Sequence, residues 1–284
     1  MVYLVAAILC SFSLAIIIKI NEKRNADRLL VLGSSYVVSA ILSWSVVIYQ
    51  GHLHISSSTL FLGMGGGLFW SFSFFIFMWG VNRYGISITG AIARLSLSVP
   101  VMIALIFLGE ALSLSLAAGL AATFLAFLLI SPISSNKLSR FNMGAIWFFP
   151  LMVLCLGMSD FWMNLFKIVG EAEENFFFIS LLFSFAAVFC GIVMFVKKTR
   201  FTVDGIKRGI LLGIPNFGSA IFLLESLKHP AFVGQSAIVY SIYSSSVLVL
   251  TFSAGAIIWK ERVSMANIFG VIVAIVAIVL LNIA

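Results

Sequence analysis

Long apolar runs recur along the whole chain, and short polar breaks separate them. A helix of about 20 residues spans a hydrocarbon core of about 30 Å, so each run is long enough to cross a membrane. The runs are solidly apolar and lack the alternation of a membrane-barrel strand, which leaves helices as the spanning element. Only 10% of the residues are charged, whereas a soluble domain has about 25%. The sequence therefore predicts an all-α polytopic membrane protein.

The apolar runs predict ten transmembrane helices in two groups of five. The first group lies near 2–20, 29–49, 59–82, 86–108 and 113–131. The second group lies near 142–167, 175–196, 206–227, 232–258 and 264–283. The stretch 132–141 is the most polar segment between the groups, so we expect it to link a first half at 1–131 to a second half at 142–284.

A short block near the end of each half indicates that the halves are related. Three pairs of identical residues are separated by 151 positions: Glu110 and Glu261, Ser113 and Ser264, and Gly119 and Gly270. Because five helices is an odd number, the second copy enters the membrane from the opposite side. The chain is therefore predicted to be two inverted five-helix repeats, an architecture in which substrate binds near the membrane midplane between the repeats.

Basic residues predict the orientation of this topology. Of the 17 lysines and arginines, 14 fall in loops on one side, two (Lys167 and Lys228) fall on the other, and Arg94 falls within a span. The side with more lysine and arginine is normally cytoplasmic. Both termini are therefore expected outside the cytoplasm.

The repeated blocks at 108–113 and 259–264 carry a resemblance to a known family. With ten predicted spans, the segment 213–216 and the region 160–167, the chain resembles the EamA-type branch of the drug/metabolite transporter superfamily. The resemblance covers essentially the whole chain. It implies export or exchange of small metabolites such as amino acids, with relatives that carry nucleotide sugars or cationic drugs, and a bacterial inner (plasma) membrane. Well-studied relatives keep both termini in the cytoplasm, which is the reverse of the orientation predicted from charge.

Arg94 is the most conspicuous charged residue, because it lies near the middle of the predicted fourth span. An arginine there costs at least about 2.5 kcal/mol on insertion scales, so it requires a wet cavity or a counter-charge. It is a candidate anchor for a substrate carboxylate. The alternative is an ion pair with Asp160 or Glu225.

Asp160 is the best acidic candidate, and Asn164 lies one turn further along the same helix face. An intramembrane carboxylate can bind a substrate amine or carry a coupling proton, but it can also pair with Arg94 or lie among lipid headgroups. Glu225 lies closer to a helix end, three residues before Lys228. For Glu225 an interfacial ion pair with Lys228 is the alternative to substrate binding.

Span eight contains Pro215 and Asn216, which predict either a discontinuity that lines the pathway or a packing kink. Tyr240 and Tyr243 lie in the most polar stretch of span nine. Their hydroxyls are candidates to line a cavity, although hydroxyl groups also mediate ordinary helix packing.

Other patterns argue against alternative classes of protein. His52 and His54 have no third ligand nearby, and the three cysteines show no CxxC spacing, so no metal or cofactor is expected. The glycines at 63–67 precede no Lys-Ser/Thr pair and are predicted to serve close helix packing rather than phosphate binding. The basic charge is topogenic rather than a nucleic-acid surface.

These observations favour a secondary transporter, not an enzyme, which moves a small polar solute by alternating access. Its expected partners are the solute, the lipid bilayer and a coupling proton or counter-substrate, and we expect a monomer or homodimer. The rival hypotheses are a structural or interaction membrane subunit and a membrane-embedded enzyme.

Overall fold

A computed structural model describes most of the chain. The described ranges are 2–23, 27–51, 55–84, 98–107, 113–130, 143–232, 235–258 and 264–282, together with the single positions 89, 96, 109 and 260. Every secondary-structure element within them is helical. The predicted linker and the first part of the predicted fourth span lie outside the described residues, as does Arg94.

Ten α-helices occur in the described residues. They are α1 (Val2–Lys23), α2 (Arg28–Gln50), α3 (Ser57–Tyr84), α4 (Ser98–Phe107), α5 (Leu114–Ile130), α6 (Met143–Val169), α7 (Asn175–Val196), α8 (Val203–Lys228), α9 (Ser236–Ile258) and α10 (Met265–Asn282). Two 3-10 turns, Ala172–Glu174 and Pro230–Phe232, precede α7 and α9. Each described helix overlaps one predicted apolar run, and α4 covers only the last part of the predicted fourth span.

Seven of these helices, α1 to α3 and α6 to α9, are long and apolar enough to cross a membrane. Two others, α5 and α10, are shorter apolar helices. Because lipid cannot satisfy backbone hydrogen bonds, apolar runs of this kind fold as helices that satisfy their own. The chain is therefore a multi-pass integral membrane protein.

Polar side chains begin two of the helices before the apolar runs start. The Asp27 carboxylate accepts hydrogen bonds from the backbone N–H groups of Leu29 and Leu30. The Thr202 hydroxyl accepts one from Gly205. These caps satisfy first-turn donors that have no partner within the helix. They explain why α2 and α8 extend beyond the apolar runs.

The described helices form two compact units. Unit 1 consists of Met1–Ser71 and Trp162–Pro230, and unit 2 of Phe72–Phe161 and Ala231–Ala284. Each unit thus combines residues from both predicted halves of the chain. Helices α3 and α6 contribute residues to both units.

Glycines bring two helix pairs of unit 1 into close contact. On α8, a Cβ at Gly213 would lie 2.6 Å from the Val38 Cβ and 2.8 Å from the Ser35 carbonyl oxygen of α2. On α3, a Cβ at Gly67 would lie 2.8 Å from the Phe185 Cβ of α7. The predicted packing role of the 63–67 glycines is confirmed.

Helix directions in unit 1 follow from paired contacts. The Trp44 indole donates to the Ser184 hydroxyl at 3.0 Å, while Gly33 near the start of α2 contacts Met194 near the end of α7. Helices α2 and α7 therefore run antiparallel. Gly209 and Gly213 contact α2 in the same order as Ser34 and Val38, so α8 runs parallel to α2.

In unit 2, α5 packs antiparallel to α10. Gly119, the glycine of the first repeated block, contacts Leu281 near the end of α10. At the other end of the pair, the Asn267 amide donates to the Leu129 carbonyl at 3.0 Å. The glycine therefore serves close helix approach, as small residues commonly do in membranes.

Candidate functional site

A chain of polar contacts occupies one end of unit 1. The Lys228 ammonium donates to the Asn175 side-chain oxygen at 2.6 Å and to the Glu171 backbone carbonyl at 3.3 Å. The amide nitrogen of Asn175 in turn donates to Glu225 Oε1 at 2.6 Å. The predicted pairing of Glu225 with Lys228 is thus mediated by Asn175, a residue from the first turn of α7.

An aromatic ring completes the surroundings of Lys228. Its Nζ lies 4.2 Å from the centroid of the Phe166 ring, and Phe166 stacks on Phe178 with centroids 4.2 Å apart. A cation over an aromatic face is stabilised by the ring quadrupole. The lysine charge is therefore held by protein groups on several sides, and one of its hydrogen bonds fixes the side-chain oxygen of Asn175.

A second carboxylate at this end is buried. Glu174 is only 4% exposed, and it accepts hydrogen bonds from Ser56 through the backbone N–H at 2.8 Å and the hydroxyl at 2.6 Å. Such hydrogen bonds to an ionised acceptor are about twice as strong as neutral ones. They join the turn before α7 to the start of α3.

A cavity of about 620 Å³ opens among these groups. Its lining residues include the acidic Glu173 and Glu225, the basic Lys228, and the aromatic Tyr3 and Phe176. Tyr3 forms a T-shaped contact with His229, with ring centroids 6.3 Å apart. The lining therefore combines two acidic residues and one lysine with aromatic residues.

The opposite end of unit 1 is basic. There Arg208 donates to Asp204 at 2.6 Å and to the Asn21 side-chain oxygen at 3.1 Å. The same end carries Lys19, Arg28, Lys197, Lys198, Arg200 and Lys207. This separation of charge between the two ends is the asymmetry that the loop counts predicted.

In unit 2, the structure brings Asp160 and Tyr240 together. The Tyr240 hydroxyl donates to the backbone carbonyl of Asp160 at 3.0 Å, which joins α9 to α6. Tyr240 is 1% exposed, whereas Asp160 and Tyr243 are half-buried. The contact of Tyr240 is one of helix packing, the alternative that the sequence left open.

Replacing this hydroxyl tests its packing role. We expect Tyr240→Phe to lower the free energy of unfolding by about 0.6 kcal/mol, the average for a hydrogen bond between membrane helices. Reversible unfolding in detergent micelles would measure the change. Tyr49→Phe is the control, because Tyr49 is 89% exposed. Equal unfolding free energies for the two variants would contradict the assignment.

Two polar side chains on α6 are buried without partners. Both side-chain atoms of Asn164 and the indole nitrogen of Trp162 lack a hydrogen bond to any described residue. Asn164 is 0% exposed. An unmade hydrogen bond of this kind costs about 1–3 kcal/mol, so such groups are rare in a structural helix.

Asn216 is another candidate from the sequence, and it lies on a different helix from Trp162 and Asn164. Asn216 is buried on α8 in unit 1, and its backbone carbonyl accepts a hydrogen bond from the Ser219 hydroxyl at 3.2 Å. Helix α8 is continuous through Pro215, so the predicted discontinuity is not found, and the alternative of a packing kink stays a prediction. The close approach of Gly213 to α2 fixes this part of the helix.

Sequence reasoning overlooked Asn175 and Glu174. An asparagine in the first turn of a helix after an acidic cluster has the pattern of an ordinary helix start. The partners Glu225 and Lys228 are 50 and 53 residues away from Asn175. No local spacing indicates such contacts. The sequence likewise gives no sign that the indole nitrogen of Trp162 is buried without a partner among the described residues.

Comparisons with known proteins give one sequence relative and a shared fold. No protein-family model matches the chain. An uncharacterised protein of Haemophilus influenzae is 29% identical in an alignment that covers 97% of this chain and 95% of that protein. A solved crystal structure aligns with 99% of this chain and 96% of its own at a TM-score of 0.81 and 13% identity. At that identity the match shows a common fold alone.

Proposed function

We propose that the chain is a secondary transporter that moves a small polar solute, amino-acid-like or another small organic molecule, by alternating access. The observation that carries this proposal is the buried amide of Asn164, which has no hydrogen-bond partner among the described residues and lies within a helix long enough to span a membrane. Uncompensated polar groups in a span are costly and mark solute pathways more often than structural contacts. Asp160, one turn earlier on α6, supplies a carboxylate for a solute amine or a coupling proton.

Local equivalences support an architecture of two inverted repeats. Gly63 and Gly67 on α3 contact α7, and Gly209 and Gly213 on α8 contact α2. The two glycine pairs are separated by 146 positions in the sequence. The helices α2 and α7, which occupy equivalent places in the two halves, run antiparallel. Inversion of the second repeat requires that relationship.

The turns of the repeated block have matching local structure. The Ser113 hydroxyl accepts from the backbone N–H of Leu116 at 3.0 Å, and the Ser264 hydroxyl accepts from that of Asn267 at 3.2 Å. Gly109 and Lys260, again 151 positions apart, have positive φ angles of 66° and 51°. Since Lys260 adopts this rare conformation without being glycine, the turn geometry rather than the residue type is repeated.

The charge separation in unit 1 supports an orientation. The basic end belongs in the cytoplasm by the positive-inside rule, and the acidic end, which includes the start of α1, belongs outside. We place the protein in a bacterial inner membrane on the strength of the family resemblance.

Flux measurements test the proposal. The full chain is reconstituted in proteoliposomes, and solutes that raise its melting temperature are assayed for uptake. We expect saturable flux that Asp160→Asn lowers about tenfold, because the neutral amide loses a charge-assisted contact of about 1.5 kcal/mol. Asp204→Asn, an exposed carboxylate at the basic end, should leave flux unchanged. Flux no greater than in empty liposomes for every stabilising solute would contradict the proposal.

A further inference from the structure

Neither Asp160 nor Asn164 lines the cavity at the acidic end of unit 1, and we infer that this cavity is a binding site for a primary ammonium group. Its volume of about 620 Å³ lies within the range of about 300–1,000 Å³ typical of small-molecule sites. The inference concerns the cavity alone and does not depend on the transport proposal.

The positive charge that borders the cavity is already engaged. Lys228 donates to Asn175 Oδ1 and to the Glu171 carbonyl, and the Phe166 ring lies against its ammonium. The Lys228 ammonium is thus engaged by two hydrogen bonds and one aromatic ring. Lys228 is therefore a poor anchor for an anion that enters the cavity.

The negative charge is held in place but has binding capacity left. Glu225 Oε1 accepts from Asn175, which the contact with Lys228 orients in turn. Glu225 Oε2 receives no hydrogen bond from a described residue. This fixed carboxylate borders the cavity together with Glu173, so its free oxygen is available to an N–H donor from a ligand.

The aromatic residues of the cavity lining also favour a positively charged ligand. Tyr3 and Phe176 are aromatic residues of the cavity lining, and Tyr3 is held by its T-shaped contact with His229. Ring faces attract cations and offer nothing to a carboxylate. One oriented carboxylate flanked by rings is suited to an alkylammonium ion. The ammonium is carried by a free amine or by the ethanolamine headgroup of a lipid, because the cavity lies where the helices end.

Ligand binding to the full chain in phosphatidylglycerol nanodiscs tests the inference. The probe is n-butylammonium, n-butyrate is the matched anion, and binding is followed by saturation-transfer NMR. Glu225→Gln keeps an oxygen that accepts from Asn175 but removes the charge. Glu171→Gln removes a charge from the same end without altering the cavity wall, because only the backbone carbonyl of Glu171 contacts Lys228.

We expect n-butylammonium to bind and n-butyrate not to bind. Glu225→Gln should weaken binding about tenfold, the loss of one charge-assisted hydrogen bond, and Glu171→Gln should leave it unchanged. Tyr3→Leu, at an exposed position, should weaken it about threefold through loss of a ring face.

If the ammonium group belongs to a lipid headgroup, a different result supports the inference. In that case phosphatidylethanolamine raises the melting temperature relative to phosphatidylglycerol, and Glu225→Gln abolishes the rise. Equal binding by wild type and Glu225→Gln overturns the inference, as does the absence of both the free-amine and the lipid effect. Binding without flux in proteoliposomes refutes only the transporter proposal, and flux without ammonium binding refutes only the cavity site.

Discussion

Gly67→Leu and Gly213→Leu should each sharply reduce the yield of folded protein. A Cβ at Gly213 would lie 2.8 Å from the Ser35 carbonyl oxygen, and one at Gly67 would lie 3.2 Å from the backbone nitrogen of Ala186. Backbone atoms within a helix cannot move aside as a flexible side chain can. Overpacking costs about 1–3 kcal/mol even where side chains yield, out of a total stability of about 5–15 kcal/mol.

The reason lies in how membrane helices associate. Lipid chains are as apolar as leucine, so burial of apolar surface drives helix association only weakly, and close backbone approach through small residues contributes more. A leucine at either glycine would separate two helices along their whole contact. Unit 1 would then lose dispersion contacts well beyond the substituted position.

Fluorescence-detected size-exclusion chromatography and melting curves in detergent would measure the effect. Gly191→Leu is the matched control, because a Cβ at this glycine of α7 would meet nothing within 4 Å. It should fold normally. If the two halves are equivalent, Gly67→Leu and Gly213→Leu should lower the melting temperature by similar amounts. Monodisperse, wild-type-like melting of either variant would show that the contact is not tight.

The sequence predicts the positions of the helices well, because the hydropathy of a segment depends only on residues that are neighbours in the chain. The predicted run 175–196 coincides with α7, and the run 59–82 falls two residues inside each end of α3. The small differences occur where a polar residue continues or caps a helix, as Thr202 does for α8. A hydrophobicity pattern measures the length of the apolar stretch, whereas the end of a helix is decided by hydrogen bonds in the polar region.

Pairing between helices is less predictable, because it depends on contacts between distant residues. The role of Gly63 and Gly67 in helix packing follows from their small size, but nothing in their spacing identifies α7 as the partner. The same holds for Asn175, which mediates between Lys228 and Glu225. The spacing of three residues indicated that Glu225 and Lys228 would interact, and only the tertiary structure identifies the amide between them.

The sequence identifies candidate site residues by their type, whereas the structure distinguishes them by whether their polar atoms have hydrogen-bond partners. By sequence alone, Tyr240 and Asn164 are both polar residues within predicted spans. In the folded chain the Tyr240 hydroxyl is satisfied by a backbone carbonyl, while Asn164 has no partner among the described residues. Whether a polar group is satisfied is decided by neighbours from other helices, so this distinction was not accessible from the sequence.

Asn164→Leu should make the protein more stable and inactive. Leucine has the same number and branching of side-chain heavy atoms as asparagine, and it removes two polar atoms that are buried without a hydrogen bond to any described residue. Relief of that desolvation cost is worth about 1–3 kcal/mol, which should raise the melting temperature by several degrees. If the amide contacts the solute, flux in proteoliposomes should fall to the level of empty vesicles.

Asn175→Leu is the contrasting variant, and it should change stability in the opposite direction. Asn175 is also a buried asparagine of a unit 1 helix, 6% exposed, but both of its amide atoms are engaged, by Lys228 and Glu225. Its loss removes one hydrogen bond from each of two charged groups, Lys228 and Glu225, at a cost of about 2 kcal/mol or more. Melting curves of the two variants measured together give the sign of each change.

The opposite signs would distinguish a functional polar group from a structural one. A protein retains a destabilising group where activity requires it, so a gain in stability with loss of flux is the signature of a residue that serves the solute. A purely structural asparagine at 164 would give the Asn175 result, a lower melting temperature. An Asn164→Leu protein that is more stable and still transports would remove Asn164 from the pathway and leave Asp160 as the candidate on α6.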